Sequence, residues 1–150
     1  MTTTVPYKRI ATEEAWAPPE LLQTYRKMAA DTSIDDPGFI ALWNRLGSRG
    51  PLVERLGDIG ERRIADMDAS GIDVQILSLT SPGVQVFDAA EASSRARDTN
   101  DQLAEAIRTY PTRFAGLAAI APHDPKAAVK EIDRGTLDEK GIVDTRGVWV

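Results

Sequence analysis

The chain has 150 residues, with 18 Lys plus Arg against 23 Asp plus Glu, for a formal charge of −5. Apolar residues make up 42% and charged residues 27%, the balance of a globular chain with one core and, by length, one domain. The acidic surplus and the lack of any Lys/Arg run argue against nucleic acid or an anionic membrane as partner, because phosphate binding needs clustered cations. The absence of cysteine excludes disulfides, thiolate metal sites and a Cys nucleophile. No apolar stretch approaches the ~20 residues needed to cross a bilayer, and Met1 to Pro6 does not read as a signal peptide, so a cytoplasmic location is expected. His123 is the single histidine, which rules out a His-rich metal site built within these residues.

The first predicted strand is Tyr7 to Thr12. Pro18-Pro19 then suits a first helical turn, and Glu20 to Ala30 reads as that helix, with Leu21, Leu22, Tyr25 and Met28 at helical spacing. Asp31 to Gly50 carries Pro37, Gly38, Gly47 and Gly50 and reads as a long irregular loop, anchored by Phe39, Ile40, Leu42 and Trp43. Leu52 to Ser70 reads as one amphipathic helix on the stripe Val53, Leu56, Gly60, Ile64 and Met67, stopped by Gly71. Ile72 to Leu79 is a strand by its β-branched content, broken at Thr80-Ser81-Pro82-Gly83. Asp88 with Glu91 three residues on resembles a capping box for a helix whose inner stripe is Ala92, Ala96, Asn100, Leu103, Ile107 and Tyr110, ended by Pro111. Arg113 to Ile120 is an almost wholly apolar strand, of the kind buried on both faces of a parallel sheet. Asp124-Pro125 caps a last helix to Arg134, stopped by Gly135, and a further strand is possible near Arg146 to Val150.

This alternation predicts an α/β fold with a parallel sheet. A closed (β/α)₈ barrel needs about 250 residues, so the chain holds about half of one.

Known chemical motifs are absent: there is no GxGxxG, GxxxxGK[ST], HExxH or GxSxG. Glu13-Glu14 falls at the C-terminal end of the first strand, the edge where chemistry collects in parallel α/β folds. Strand alternation sends one carboxylate inward, where it is suited to a divalent metal. By spacing alone the pair also fits a solvated strand end. Hydroxyls of Thr80-Ser81 occupy the same edge of the second strand, although Ser-Pro-Gly favours a plain turn. His123, on the third βα loop, is placed for acid–base work. It precedes a capped helix start, however, which favours a solvent-facing side chain. Asn100 reads as a buried amide satisfying nearby backbone.

Several stretches together resemble the metal-dependent, non-oxidative aromatic decarboxylases of the amidohydrolase superfamily. They are Arg9-Ile-Ala-Thr-Glu-Glu-Ala-Trp16, Glu61-Arg-Arg-Ile-Ala-Asp-Met-Asp68, Gly71-Ile-Asp73, Ile76 to Gln85, Asn100-Asp101, Pro111 to Phe114 and Asp124-Pro125. The likeness is to the 5-carboxyvanillate branch first, with the 2,3-dihydroxybenzoate and γ-resorcylate branches as near relatives. It runs over about residues 8 to 135, leaving 136–150 as a divergent tail in which Lys140-Gly141-Ile142 or Arg146-Gly147-Val148 would be the fourth strand. The resemblance implies the first half of a (β/α)₈ TIM barrel, truncated near strand four. It implies a divalent metal (Mn²⁺, Zn²⁺ or Mg²⁺) with Glu13 as its first ligand, and Thr80 at the substrate edge. Ala15 stands where many superfamily members have His, as in the Glu-Glu-Ala version of these branches. The position of His123 varies in the family. The implied reaction is decarboxylation of an ortho-hydroxybenzoate-type acid. Its proton donor, remaining metal ligands and carboxylate-binding Arg come from strands four to eight, so no catalytic residue is assigned here. A small aromatic acid and a second copy of the chain are the expected partners. The alternatives are a truncated non-catalytic paralogue or oligomer-interface module, and a small open α/β binding domain.

Overall fold

In the computed structural model, residues 7–31, 34–47, 51–136 and 145–149 are described. Four parallel strands form one sheet in the order β1-β2-β3-β4: β1 Ile10–Trp16, β2 Val74–Leu79, β3 Phe114–Ala119 and β4 Thr145–Trp149. Helices α1 Pro19–Asp31, α2 Pro37–Gly47, α3 Leu52–Leu56 and α4 Glu61–Ser70 separate the first two strands. Helix α5 Ala89–Thr109 joins β2 to β3, and α6 Pro125–Thr136 follows β3. The α/β class and the run of parallel βα units are as the alternation predicts.

Local chemistry explains most boundaries. Asp88 caps α5 by accepting the Glu91 N–H at 2.9 Å, and Asp124 caps α6 by accepting the Ala127 N–H at 3.0 Å. Gly71 ends α4 in the left-handed region at φ 67°, a conformation that costs glycine little.

Four expectations are corrected. The first strand begins at Ile10 rather than Tyr7 and runs on to Trp16, so the two glutamates lie inside it. The segment expected to be a loop contains α2: Pro37 and Gly38 sit in its first turn, where missing or weak hydrogen bonding is tolerated, and Asp36 accepts the Phe39 N–H at 3.0 Å. Phe39 and Trp43, one turn apart, are buried. The single helix expected over 52–70 is broken at Gly57–Gly60, where Gly60 is extended and its N–H is taken by the Asp58 carboxylate at 2.8 Å. Gly135 does not stop α6, which continues to Thr136. Of the two fourth-strand candidates, the one near Arg146 falls in β4, and Lys140 to Ile142 lies outside the described residues.

Alternation divides the sheet faces. Leu77, Phe114 and Trp16 turn toward α4 and α5, into a core with Met67, Leu103 and Ile107. A second core at the C-terminal end joins Leu79, Val84, Ala119 and Ala121 to Leu21, Tyr25, Phe39 and Trp43 of α1 and α2. On the other face Val74, Ile76, Ala115 and Leu117 are only partly buried and belong to neither core. Among the described residues no helix is long and apolar enough to cross a membrane.

Candidate functional site at the C-terminal edge of the sheet

The pairing of β1 with β2 slips by one residue. Ala11 lies opposite Gln75, but Glu14 lies opposite Leu77, so Thr12 and Glu13 together face Ile76. Such a bulge re-aims side chains. Glu14 shares the helix-facing side with Leu77, while Glu13 falls on the uncovered side with Ile76 and is exposed. The expected division of the pair is therefore present, and the bulge decides which glutamate takes which face.

Glu14 has a structural neighbour. The half-buried Arg63 guanidinium donates to the carbonyls of Asp58 at 2.6 Å, Arg55 at 3.1 Å and Ala15 at 3.1 Å, and to Gln75 Oε1 at 3.3 Å. Burial pulls its pKa down, and the charges of Glu14, Asp58 and Asp66 partly restore it. Arg63 thus ties the α3–α4 break to the end of β1. Both glutamates border a cleft of about 380 Å³ along the outer edge of β1.

No hydrogen bond or ion pair joins the Glu13 carboxylate to another described residue. A free carboxylate oxygen suits a hard divalent cation, so Glu13 fits one corner of a metal site. Among the described residues there is no group of three or more His, Cys, Asp or Glu able to hold an ion. They do not complete such a site.

Thr80 follows β2 and is half-buried. Its N–H donates to Trp16 O at 2.8 Å, and its carbonyl accepts the Gly83 N–H at 2.9 Å, so the Thr80–Gly83 stretch is the turn its sequence favours. The turn is braced from α1: the Tyr25 hydroxyl donates to Gly83 O. Burial pushes that hydroxyl above its ordinary pKa, which keeps it a donor, and Arg95 offsets this only in part. The Tyr25 ring is packed by Trp43 at 4.8 Å, Phe39 at 6.0 Å and Phe87 at 6.3 Å between centroids. His123 is exposed, with Nε2 3.1 Å from Phe87 O, in line with its solvent-facing reading. Asn100 is buried against the backbone of Ala119, as expected.

Sequence reasoning missed Arg63 and Tyr25. The signals were present: Arg63 sits one turn before Met67 on the inward face of its helix, and Tyr25 lies on the inner stripe of α1, where a buried hydroxyl must find a partner.

No family model matches the chain. It is 41% identical over 116 residues to gamma-resorcylate decarboxylase of Polaromonas sp. (strain JS666 / ATCC BAA-500), a match covering 75% of this chain and 33% of that protein. The fold is similar to 5-carboxyvanillate decarboxylase from Novosphingobium aromaticivorans DSM 12444, crystallised with manganese and 4-hydroxy-3-methoxy-5-nitrobenzoic acid. The TM-score is 0.86 at 44% identity over 95% of this chain and 41% of that one. The Polaromonas sp. JS666 dihydroxybenzoic acid decarboxylase, with bound manganese and the inhibitor 2-nitroresorcinol, gives a TM-score of 0.68 at 35% identity over 95% of this chain and 38% of that one. The chain therefore spans about a third to two-fifths of the length of these relatives. Its parallel βα units are those of the first part of their TIM barrel. By sequence and by fold, the chain corresponds to the N-terminal part of these aromatic acid decarboxylases.

Proposed function

We propose that the protein serves the non-oxidative decarboxylation of an ortho-hydroxybenzoate-type aromatic acid, 5-carboxyvanillate or a close analogue, in the cytoplasm. The observation that carries this reading is the β1 bulge. It turns Glu13, rather than Glu14, to the uncovered face of the sheet, in a chain 44% identical to a decarboxylase crystallised with manganese. In this reading Glu13 holds a divalent metal (Mn²⁺, Zn²⁺ or Mg²⁺), and the Thr80 hydroxyl donates to an oxygen of the bound acid. The metal, when bound, supplies Lewis-acid and template chemistry at the phenolate and carboxylate. The ring carbon takes a proton, the bond to the carboxylate breaks, its electron pair returns to the ring and carbon dioxide leaves. None of the described residues is assigned as the proton donor.

The test is a chimera in which this chain replaces the equivalent N-terminal part of the Novosphingobium relative, assayed with Mn²⁺ for carbon dioxide release from 5-carboxyvanillate. Turnover is expected. Glu13→Gln should lower kcat/KM by more than about 100-fold, since even a group behind a metal ligand is worth ~10–100-fold. A folded chimera whose activity is indifferent to Glu13→Gln overturns the reading. It would favour the second one, a truncated non-catalytic paralogue or oligomer-interface module, which the partly exposed apolar face of Val74, Ile76, Ala115 and Leu117 supports.

A further inference from the structure

Strand β2 is bonded to its two neighbours over different lengths. Toward β1 the pairing reaches Leu79 opposite Trp16, and the Thr80 N–H still donates to Trp16 O at 2.8 Å. Toward β3 it stops at Leu77 opposite Gly116. Regular continuation of that register would set Thr80 beside Ala119. Instead, both backbone groups of Ala119 meet the side chain of Asn100. The Ala119 N–H donates to Oδ1 at 2.8 Å, and Nδ2 donates to Ala119 O at 2.9 Å.

A primary amide offers the same donor and acceptor as a peptide unit, so Asn100 stands in for the missing length of strand. It is itself held in place: Nδ2 also donates to Glu131 Oε1 at 2.9 Å. Glu131 is paired with Arg134 at 2.5 Å, and Arg134 with Asp101 at 2.5 Å. Between the parted strand ends lies a gap of about 50 Å³, bordered by Leu79, Pro82, Gly83, Ala119 and Ile120.

We infer that Asn100 is a positioning residue: by occupying the backbone of Ala119 it keeps β2 and β3 apart at the site edge and so holds Thr80 on the side of β1, close to the strand that carries Glu13. The inference rests on the reading of this edge as the substrate edge. An amide deep in a helix stripe thereby acts at a turn it does not touch.

The decisive measurement needs no activity. In the ¹⁵N-labelled 150-residue chain, Asn100→Ala should speed hydrogen exchange of the Ala119 amide at least ~10-fold and shift the Thr80 amide resonance, while the Leu103 and Ile107 amides of α5 keep their protection. Asn100→Asp, which keeps the acceptor and loses both donors, is the second variant should the alanine form fail to fold. An exposed Ala119 amide with an unmoved Thr80 resonance overturns the inference. In the chimera, Asn100→Asp should raise KM at least ~5-fold with Mn²⁺ affinity within about twofold of the parent. An unchanged KM also counts against it, because a purely structural amide would leave KM alone. If the parent chimera is inactive, the functional reading falls, and the exchange result still decides whether Asn100 positions Thr80.

Discussion

Tyr25 shows what one buried hydroxyl does for this molecule. Its ring fills the core between α1 and α2, and its hydroxyl donates to the Gly83 carbonyl, which links the first helix to the turn after β2. Burial holds its pKa above the ordinary value of about 10, and this sets a direction for stability. Below pH ~10 both folded and unfolded chains keep the proton, and the full contribution is present. Above it the unfolded chain ionises first, so the contribution is lost progressively as pH rises toward the folded-state value. Urea midpoints measured from pH 8 to 11 should therefore fall at the alkaline end. Tyr25→Phe should flatten that fall while costing about 1 kcal/mol near neutrality. An alkaline slope unchanged by the substitution would refute the assignment. Arg63 is the other such residue, and a lysine could not replace it, because only the guanidinium fork reaches four acceptors at once.

Among elements, α5 approaches β3 closely at Gly116. A β-carbon built at Gly116 would lie 2.5 Å from Leu103 Cδ2, 2.9 Å from Leu103 Cγ and 3.2 Å from Ile107 Cδ1. The helix can approach the strand this closely only because Gly116 has no side chain. Gly116→Ala should destabilise the chain by about 1–3 kcal/mol through overpacking. Adding Leu103→Ala should cost less than the sum of the two single changes, since each relieves the other. Additive costs in thermal melts would show that the strand simply shifts away. The caps of α5 and α6 and the turn at Gly71 were legible in the sequence because capping is local. The break at Gly57–Gly60 was not, because an apolar stripe with two glycines fits a continuous helix equally well. What breaks it is Asp58 bonding Gly60 and Arg63 reaching across to β1.

At the scale of the whole molecule, an open sheet with one helix-covered face explains why the proposed activity needs more than these residues. Parallel sheets are ordinarily covered on both faces. Here Val74, Ile76, Ala115 and Leu117 remain partly exposed, and β1 has no strand on its outer side among the described residues. An unpaired edge beside an apolar face recruits another chain. The 150-residue chain should accordingly associate with a concentration dependence visible in sedimentation velocity. On its own it should release carbon dioxide from 5-carboxyvanillate far more slowly than the ~10 s⁻¹ of an ordinary enzyme, even with Mn²⁺ present. A monodisperse monomer with a cooperative melt contradicts the first expectation, and ordinary turnover contradicts the second.

Legible in the sequence alone were the order of βα units, most caps and stops, the exposure of His123, the burial of Asn100 against backbone, and the resemblance to the decarboxylases. Each follows from patterns spanning a few residues or from motifs kept in order along the chain. Which glutamate of the Glu13-Glu14 pair faces the open side, how Arg63 reaches Ala15, what Tyr25 bonds and where β2 leaves β3 were decided only in three dimensions. These depend on a strand register and on partners 48, 58 and 19 residues apart in the chain. Periodicity carries the direction of a side chain relative to its own element, and not the group it will meet across the fold.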